Sequence, residues 1–140
     1  MMGDESVNRE QEPVAHDADE GQALTYSMAT TAARAAAEMF GKDITIVDLR
    51  EHVSYTDYFI ITSAETDRQT KRIAEEVIDQ MISAGHRPRN KRLDEGQQWI
   101  SIDFMDIVVH VFTDEARDYY RLESLWRSAP QEKWEDHAQG

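Results

Sequence analysis

Asp103 and Asp106 are the residues of this chain whose type and spacing most invite a chemical role. Two carboxylates at neighbouring strand ends can hold a divalent cation and, through it, nucleotide phosphates. That would make the chain a metal-dependent nucleotidyltransferase. Such enzymes usually place their acids two apart on one strand and begin the next helix with a Gly-Ser turn. Here the acids lie three apart across a turn, and the matching strand-to-helix stretch reads Thr62-Ser63-Ala64-Glu65. No Lys or Arg stands beside either acid to grip phosphate. The plainer reading is that both carboxylates accept hydrogen bonds from turn amides. Facing each other, they would repel by up to ~1 kcal/mol, which a nearby Arg would offset. His110 would stand about 13 Å along the strand from Asp106, four residues at ~3.3 Å each, so the two cannot share a metal. His16, His52, His86 and His137 show no ligand spacing, and Ser63 lacks the glycine elbow of a nucleophile.

These residues are carried by a hairpin and the helix after it. Ile100 and Ile102 alternate with Trp99, Ser101 and Asp103. Ile107, Val109 and Val111 alternate with Asp106, Val108, His110 and Phe112. Successive strand side chains point to opposite faces, so one face is wholly aliphatic and is core. A two-residue turn at Phe104-Met105 would set Asp103 opposite Asp106, Ile102 opposite Ile107 and Trp99 opposite His110. Thr113 then caps a helix running from Asp114 to about Arg127, with Asp114 and Glu115 at its positive end.

The elements before the hairpin frame it. A helix is expected from about Tyr26 to Phe40, capped by Thr25 or Ser27 and ended by Gly41, with its alanines packed close on a sheet. Asp43 to Leu49 reads as a strand by its β-branched content. Tyr58 to Thr62 is apolar without alternation, as in a strand covered on both sides. Thr66-Asp67-Arg68-Gln69 has the pattern of a capping box. The helix it opens buries Ile73, Ala74, Val77, Ile78, Met81 and Ile82 and stops at Gly85. Pro88 confines the basic run from His86 to Arg92 to an edge strand or a loop. The order is α-β-β-α-β-β-β-α: an α/β fold with a mixed β-sheet of about five strands flanked by helices.

Length and charge divide the chain. Its 140 residues, 40% hydrophobic and 31% charged, suit one domain with polar extensions. Of the net charge of −13, residues 1–23 hold −6, residues 24–130 hold −5 and residues 131–140 hold −2. Residues 1–23 are expected to be a disordered acidic N-terminal tail, 24–130 the domain, and 131–140 a polar C-terminal tail. A net-acidic domain is poorly made to wrap phosphate backbone and well made to meet a basic protein surface. With no cysteine there is no disulfide or thiolate zinc site. No apolar run reaches the ~20 residues of a membrane span, and the first residues lack the basic start and apolar block of a secretion signal. A cytoplasmic protein is the expectation.

Trp99, Tyr119, Tyr120 and Trp126 are either a second core or a docking surface, and residue type permits both. Their neighbours Asp103, Asp106, Asp118 and Glu123 disfavour stacking on RNA bases, which needs basic residues around the rings. A resemblance joins these residues. Asp57-Tyr58-Phe59, Thr62-Ser63 with Arg68-Gln69, Trp99, Asp103 through Asp106, Val108 through Phe112, and Arg117 with Leu122-Glu123-Ser124-Leu125-Trp126 closely resemble the ribosomal silencing factor family. The resemblance spans about Leu24 to Pro130. Many members have Gly where Met105 stands, so a longer or bulged turn is anticipated here, and the acidic N-terminal extension has no counterpart in the family.

The resemblance implies a nucleotidyltransferase-like fold without catalytic acids, no enzymatic activity, and no cofactor or metal. It implies a translational repressor that binds large-subunit ribosomal protein L-fourteen and sterically blocks joining of the small subunit, with a link to large-subunit biogenesis. A homodimer in the free state and little direct nucleic-acid contact belong to the same expectation. Carried over by position, the partner-facing residues would be Trp99, Asp106, His110, Tyr120, Leu122, Leu125 and Trp126, of which Leu125 is expected to be the most core-like.

Overall fold

The computed structural model describes residues 2–135, with side chains from residue 20. Six strands form one mixed sheet in the order β3-β4-β5-β2-β1-β6. In chain order the elements are α1 (Met2–Glu38), β1 (Lys42–Asp48), β2 (Tyr58–Ala64), α2 (Asp67–Ser83), β3 (Asn90–Leu93), β4 (Trp99–Asp103), β5 (Ile107–Thr113), α3 (Asp114–Tyr120), α4 (Leu122–Leu125) and β6 (Gln131–Lys133). Only β2 and β5 pair in parallel; the other neighbours are antiparallel. β2 lies at the centre and every residue of it is buried, as its unbroken apolar run requires.

Helices cover both faces. On one, α1 and α2 lie over Ile44 and Ile46 of β1, Ile60 of β2, Ile100 and Ile102 of β4, and Ile107, Val109 and Val111 of β5. Ala29, Ala32, Ala33 and Ala36 bring the α1 backbone close to the sheet, and none of them is exposed. α2 adds Ile73, Ala74, Val77 and Met81. Ile78 is half-buried, and Ile82, expected inside, is exposed at the helix rim. The expected capping box is present: Thr66 Oγ1 accepts from the Gln69 amide while the Gln69 side chain accepts from the Thr66 amide. Gly85, at φ 94°, ends α2 with the paired bonds of a Schellman motif, His86 N–H to the Met81 carbonyl and Gly85 N–H to that of Ile82.

Several boundaries differ from expectation. α1 begins at Met2, where a tail without structure was expected over residues 1–23. The packing of α1 onto the sheet begins at Met28, and the residues before that extend the same helix. Thr25 therefore does not cap; its hydroxyl donates back to the Gly21 carbonyl within the helix. At the far end Phe40, at φ 65°, takes the left-handed position expected of Gly41. Gly41 is needed for a different reason: a Cβ there would stand 2.6 Å from Thr62 Oγ1 and 3.0 Å from the Ala36 carbonyl oxygen. Gln131–Lys133, read as tail, pairs with β1 as a sixth strand, and Trp134 packs against the α1 side of the core. The rest of that tail, 136–140, lies outside the described residues.

The hairpin is shifted by two residues. Trp99 pairs with Phe112, Ile100 with Val111, Ser101 with His110 and Ile102 with Val109. A shift of two leaves every side chain on its expected face, whereas a shift of one would have inverted them all. The extra length goes into the turn. Phe104 folds into the core and Met105 takes φ 77°, the conformation glycine adopts without strain.

Candidate functional site

Opposite the α1 and α2 layer, the sheet carries a second cluster built on Val47, Leu49, Phe59, Ile61 and Phe112, with Ala116, Leu122 and Ala129 above them. A band of rings crosses this face. Trp99 stacks on Phe112 at 4.8 Å between centroids and meets Tyr120 at 4.9 Å. Tyr119 stands edge-on to Tyr120 at 5.0 Å. On the other side Phe59 meets His110 edge-on at 4.5 Å, and Trp126 meets Phe59 at 6.1 Å. The two ends of the band open to solvent: Tyr119 is 80% exposed, Tyr120 43%, and Leu125, beside Trp126, 74%.

His110 sits under the middle of the band. Its Nδ1 accepts the Trp99 indole N–H at 3.1 Å. That bond fixes the neutral tautomer, with the proton on Nε2, and holds the indole plane. Nε2 is buried without a protein partner, and burial pushes the imidazole down to about 4. At neutral pH His110 is therefore an uncharged prop.

The outer wall of the face is α3 and α4, and the two are not one helix. The chain breaks at Arg121, which adopts φ 48°. In an unbroken helix Ala116 and Leu122 would lie on different sides; the break turns both inward. It also turns Leu125 outward, which corrects the expectation that Leu125 is the most core-like of the set. Arg117 ties this wall to the sheet. Its guanidinium bonds Glu123 at 2.8 and 2.9 Å, Ser63 Oγ at 3.0 Å, and the carbonyls of Lys42 and Asp43 at 3.1 and 2.7 Å. Ser63, which lacks a nucleophile's glycine elbow, is a buried hydrogen-bond partner.

The two aspartates of the turn do different things. Asp103 Oδ1 accepts from the Met105 amide at 2.7 Å and Oδ2 pairs with Arg89 at 2.8 Å, as the turn-satisfying reading with a compensating Arg anticipates. Asp106 is exposed, and its carbonyl receives the Asp57 amide and the Thr56 hydroxyl. Val108, and not Asp106, stands opposite Asp103. Among the described residues no group of three or more acidic or His side chains could hold a metal ion, and no helix is long and apolar enough to cross a membrane. Recesses of about 430 and 500 Å³ flank Arg117 and Glu123, and a third opens at the start of α3. The one beside Tyr119 and Tyr120 is about 590 Å³ and is lined by Asp94, Glu95 and Glu115, with no basic residue.

The structure puts Trp99, His110, Tyr120, Leu122 and Trp126 on one face, with Leu125 on the helix above it; Asp106 lies in the exposed hairpin turn, outside that cluster. His110 and Leu122 lie beneath the surface, at 7% and 8% exposure; they shape the face from below. Sequence reasoning missed Arg117, Glu123 and Phe59 as the parts that hold it. A six-residue Arg-Glu spacing means nothing in a continuous helix, so only the break at Arg121 reveals that pair.

The fold and this face together define an α/β domain with one side of its sheet sealed by two helices and the other presenting an aromatic and aliphatic rim. A family model described as ribosomal silencing factor during starvation matches residues 22–139. The ribosomal silencing factor RsfS of Bacillus subtilis is 35% identical over 104 residues, 74% of this chain and 88% of its own length. A mouse protein named mitochondrial assembly of ribosomal large subunit protein 1 is 28% identical over 61% of this chain and 39% of its own. The crystal structure of a Chromobacterium violaceum protein matches with a TM-score of 0.70 at 28% identity, covering 81% of this chain and 95% of that one. The chain belongs to the ribosomal silencing factor family.

Proposed function

We propose that this protein is a ribosome-associated translational repressor that docks on the large subunit through the aromatic face. The partner we infer is large-subunit ribosomal protein L-fourteen, and the consequence is a steric block to joining of the small subunit. Silencing then follows from occupancy, and no bond needs to be made or broken. The observation that carries this reading, beside family membership, is the pairing of Tyr119, Tyr120 and Leu125. Tyr119 at 80% and Leu125 at 74% are two of the three most exposed large apolar side chains, and they stand on the two helices that cover the Trp99 and Phe112 band, where aromatic anchors are typical of protein interfaces. The acid-lined recess next to Tyr120 adds complementarity to a basic partner. A free-state homodimer burying the same face is compatible with this reading and would compete with the ribosome for it. With Asp103 committed to Arg89 and the turn amide, no observation favours the nucleotidyltransferase alternative.

Tyr120→Ala and Leu125→Ala test the proposal. Each should weaken co-sedimentation with isolated large subunits by ~2 kcal/mol or more, about thirtyfold, and relieve inhibition of subunit joining. Melting temperature should stay near wild type, because neither side chain belongs to either apolar cluster. Unchanged binding by both variants would remove this face from the interface. Binding to joined ribosomes as strong as to free large subunits would remove the steric mechanism.

A further inference from the structure

The geometry points to Arg117 as a positioning residue for the binding face: it sets the elbow between α3 and α4, and through that elbow the places of Tyr120 and Trp126. This inference rests on the reading that the face is a docking surface.

α3 has seven residues and α4 four, too few to hold a helix by themselves. The side chains these helices bury are Ala116 and Leu122. The guanidinium supplies what the apolar contacts do not. On one side it grips Glu123 of α4. On the other it donates to Ser63 of β2 and to the carbonyls of Lys42 and Asp43. Those two carbonyls lie in the irregular stretch of β1 where the register shifts and Asp43 adopts φ 46°. The planar fork of an Arg reaches acceptors on three elements at once; the point charge of a Lys does not. The Arg117 backbone serves the same elbow, since its carbonyl accepts the amide of the left-handed Arg121. With 13% of its side chain exposed, Arg117 acts through the face and not on the partner.

Arg117→Gln and Arg117→Lys, made in the full chain, test this by hydrogen exchange, by the Trp99 indole N–H resonance and by affinity for large subunits. Both variants should speed amide exchange across residues 114–126 at least tenfold while exchange in β2 and α2 stays as in wild type. Both should shift the indole resonance, because Tyr120 no longer packs at 4.9 Å from the Trp99 ring, and lower affinity at least tenfold. Glu123→Gln, which keeps an acceptor oxygen, should retain most of the affinity. Unchanged exchange and an unchanged indole signal would overturn the proposal. So would exchange rising equally in β2 and α2, which would make Arg117 a general stabiliser. Wild-type affinity in Arg117→Lys alone would make it a charge contact with the partner. If the wild-type chain fails to bind large subunits, the docking reading falls, and the exchange and indole measurements still decide what Arg117 does.

Discussion

The two faces of the sheet are built by different means. Under α1 and α2 the packing is apolar and complete: isoleucines and valines of four strands meet alanines of one helix and the Ile73, Val77 and Met81 stripe of the other. On the opposite face two short helices bring few apolar side chains, and much of the ordering is polar. Arg117 spans the rim, the Trp99 indole donates to His110, and the Thr113 hydroxyl accepts the Ala116 amide to start α3. A face that closes on itself is held by buried volume. A face whose rim stays open to a partner cannot bury that volume, and directional hydrogen bonds fix its shape instead.

The largest effect should come from the closed face. Ile60 is fully buried at the centre of the sheet, and Ile60→Ala should cost about 2–5 kcal/mol of unfolding free energy in urea titration. Binding per folded molecule should be unchanged. A loss of affinity in the folded fraction would show that the two faces are mechanically coupled, against the contrast drawn above.

His110 tests the open face next. Its folded pKa of about 4 lies below the ordinary value of 6.5, so the unfolded chain binds the proton more readily. The stability of the neutral form is fully present above pH 6.5, falls as pH drops, and levels off below about 4. The full loss corresponds to about 3 kcal/mol. His110→Gln keeps an acceptor for the Trp99 indole and removes the titration, so its stability should be flatter over that window. Asp48, held below the usual carboxylate range by its hydrogen bonds to Arg50, is lost at more acidic pH in both proteins. Parallel curves for wild type and His110→Gln would mean that the imidazole is not buried as a neutral prop.

The same contrast explains what was legible in the sequence. The closed face is readable because alternation survives a two-residue slip: a two-residue turn predicts Ile102 opposite Ile107, the structure pairs Ile102 with Val109, and both keep the same side chains on each face. The open face was readable in its residue types and not in its placement. Nothing local marks Arg121 for a left-handed turn; the requirement comes from Arg117 and Glu123 meeting across it. Leu125 has the composition of a core residue and the position of a surface one. β6 is Gln-Glu-Lys, with no apolar period to read, and exists because β1 offers a free edge.

The hairpin turn joins the two layers and carries the smallest effect. Met105 is 53% exposed at φ 77°, where a Cβ costs about 1–2 kcal/mol. Glycine would remove that strain, and its greater freedom in the unfolded chain takes back about 0.4–1 kcal/mol. Met105→Gly should therefore raise stability by about 0.5–1 kcal/mol, read as a higher urea midpoint at unchanged slope. The Asp103 carboxylate still receives the residue 105 amide in the variant, so the turn keeps its shape, and the aromatic face, of which Met105 is no part, should bind as before. A lower midpoint would mean that the Met105 side chain contributes packing its exposure does not reveal. A change in affinity would place the turn in the docking surface together with Asp106.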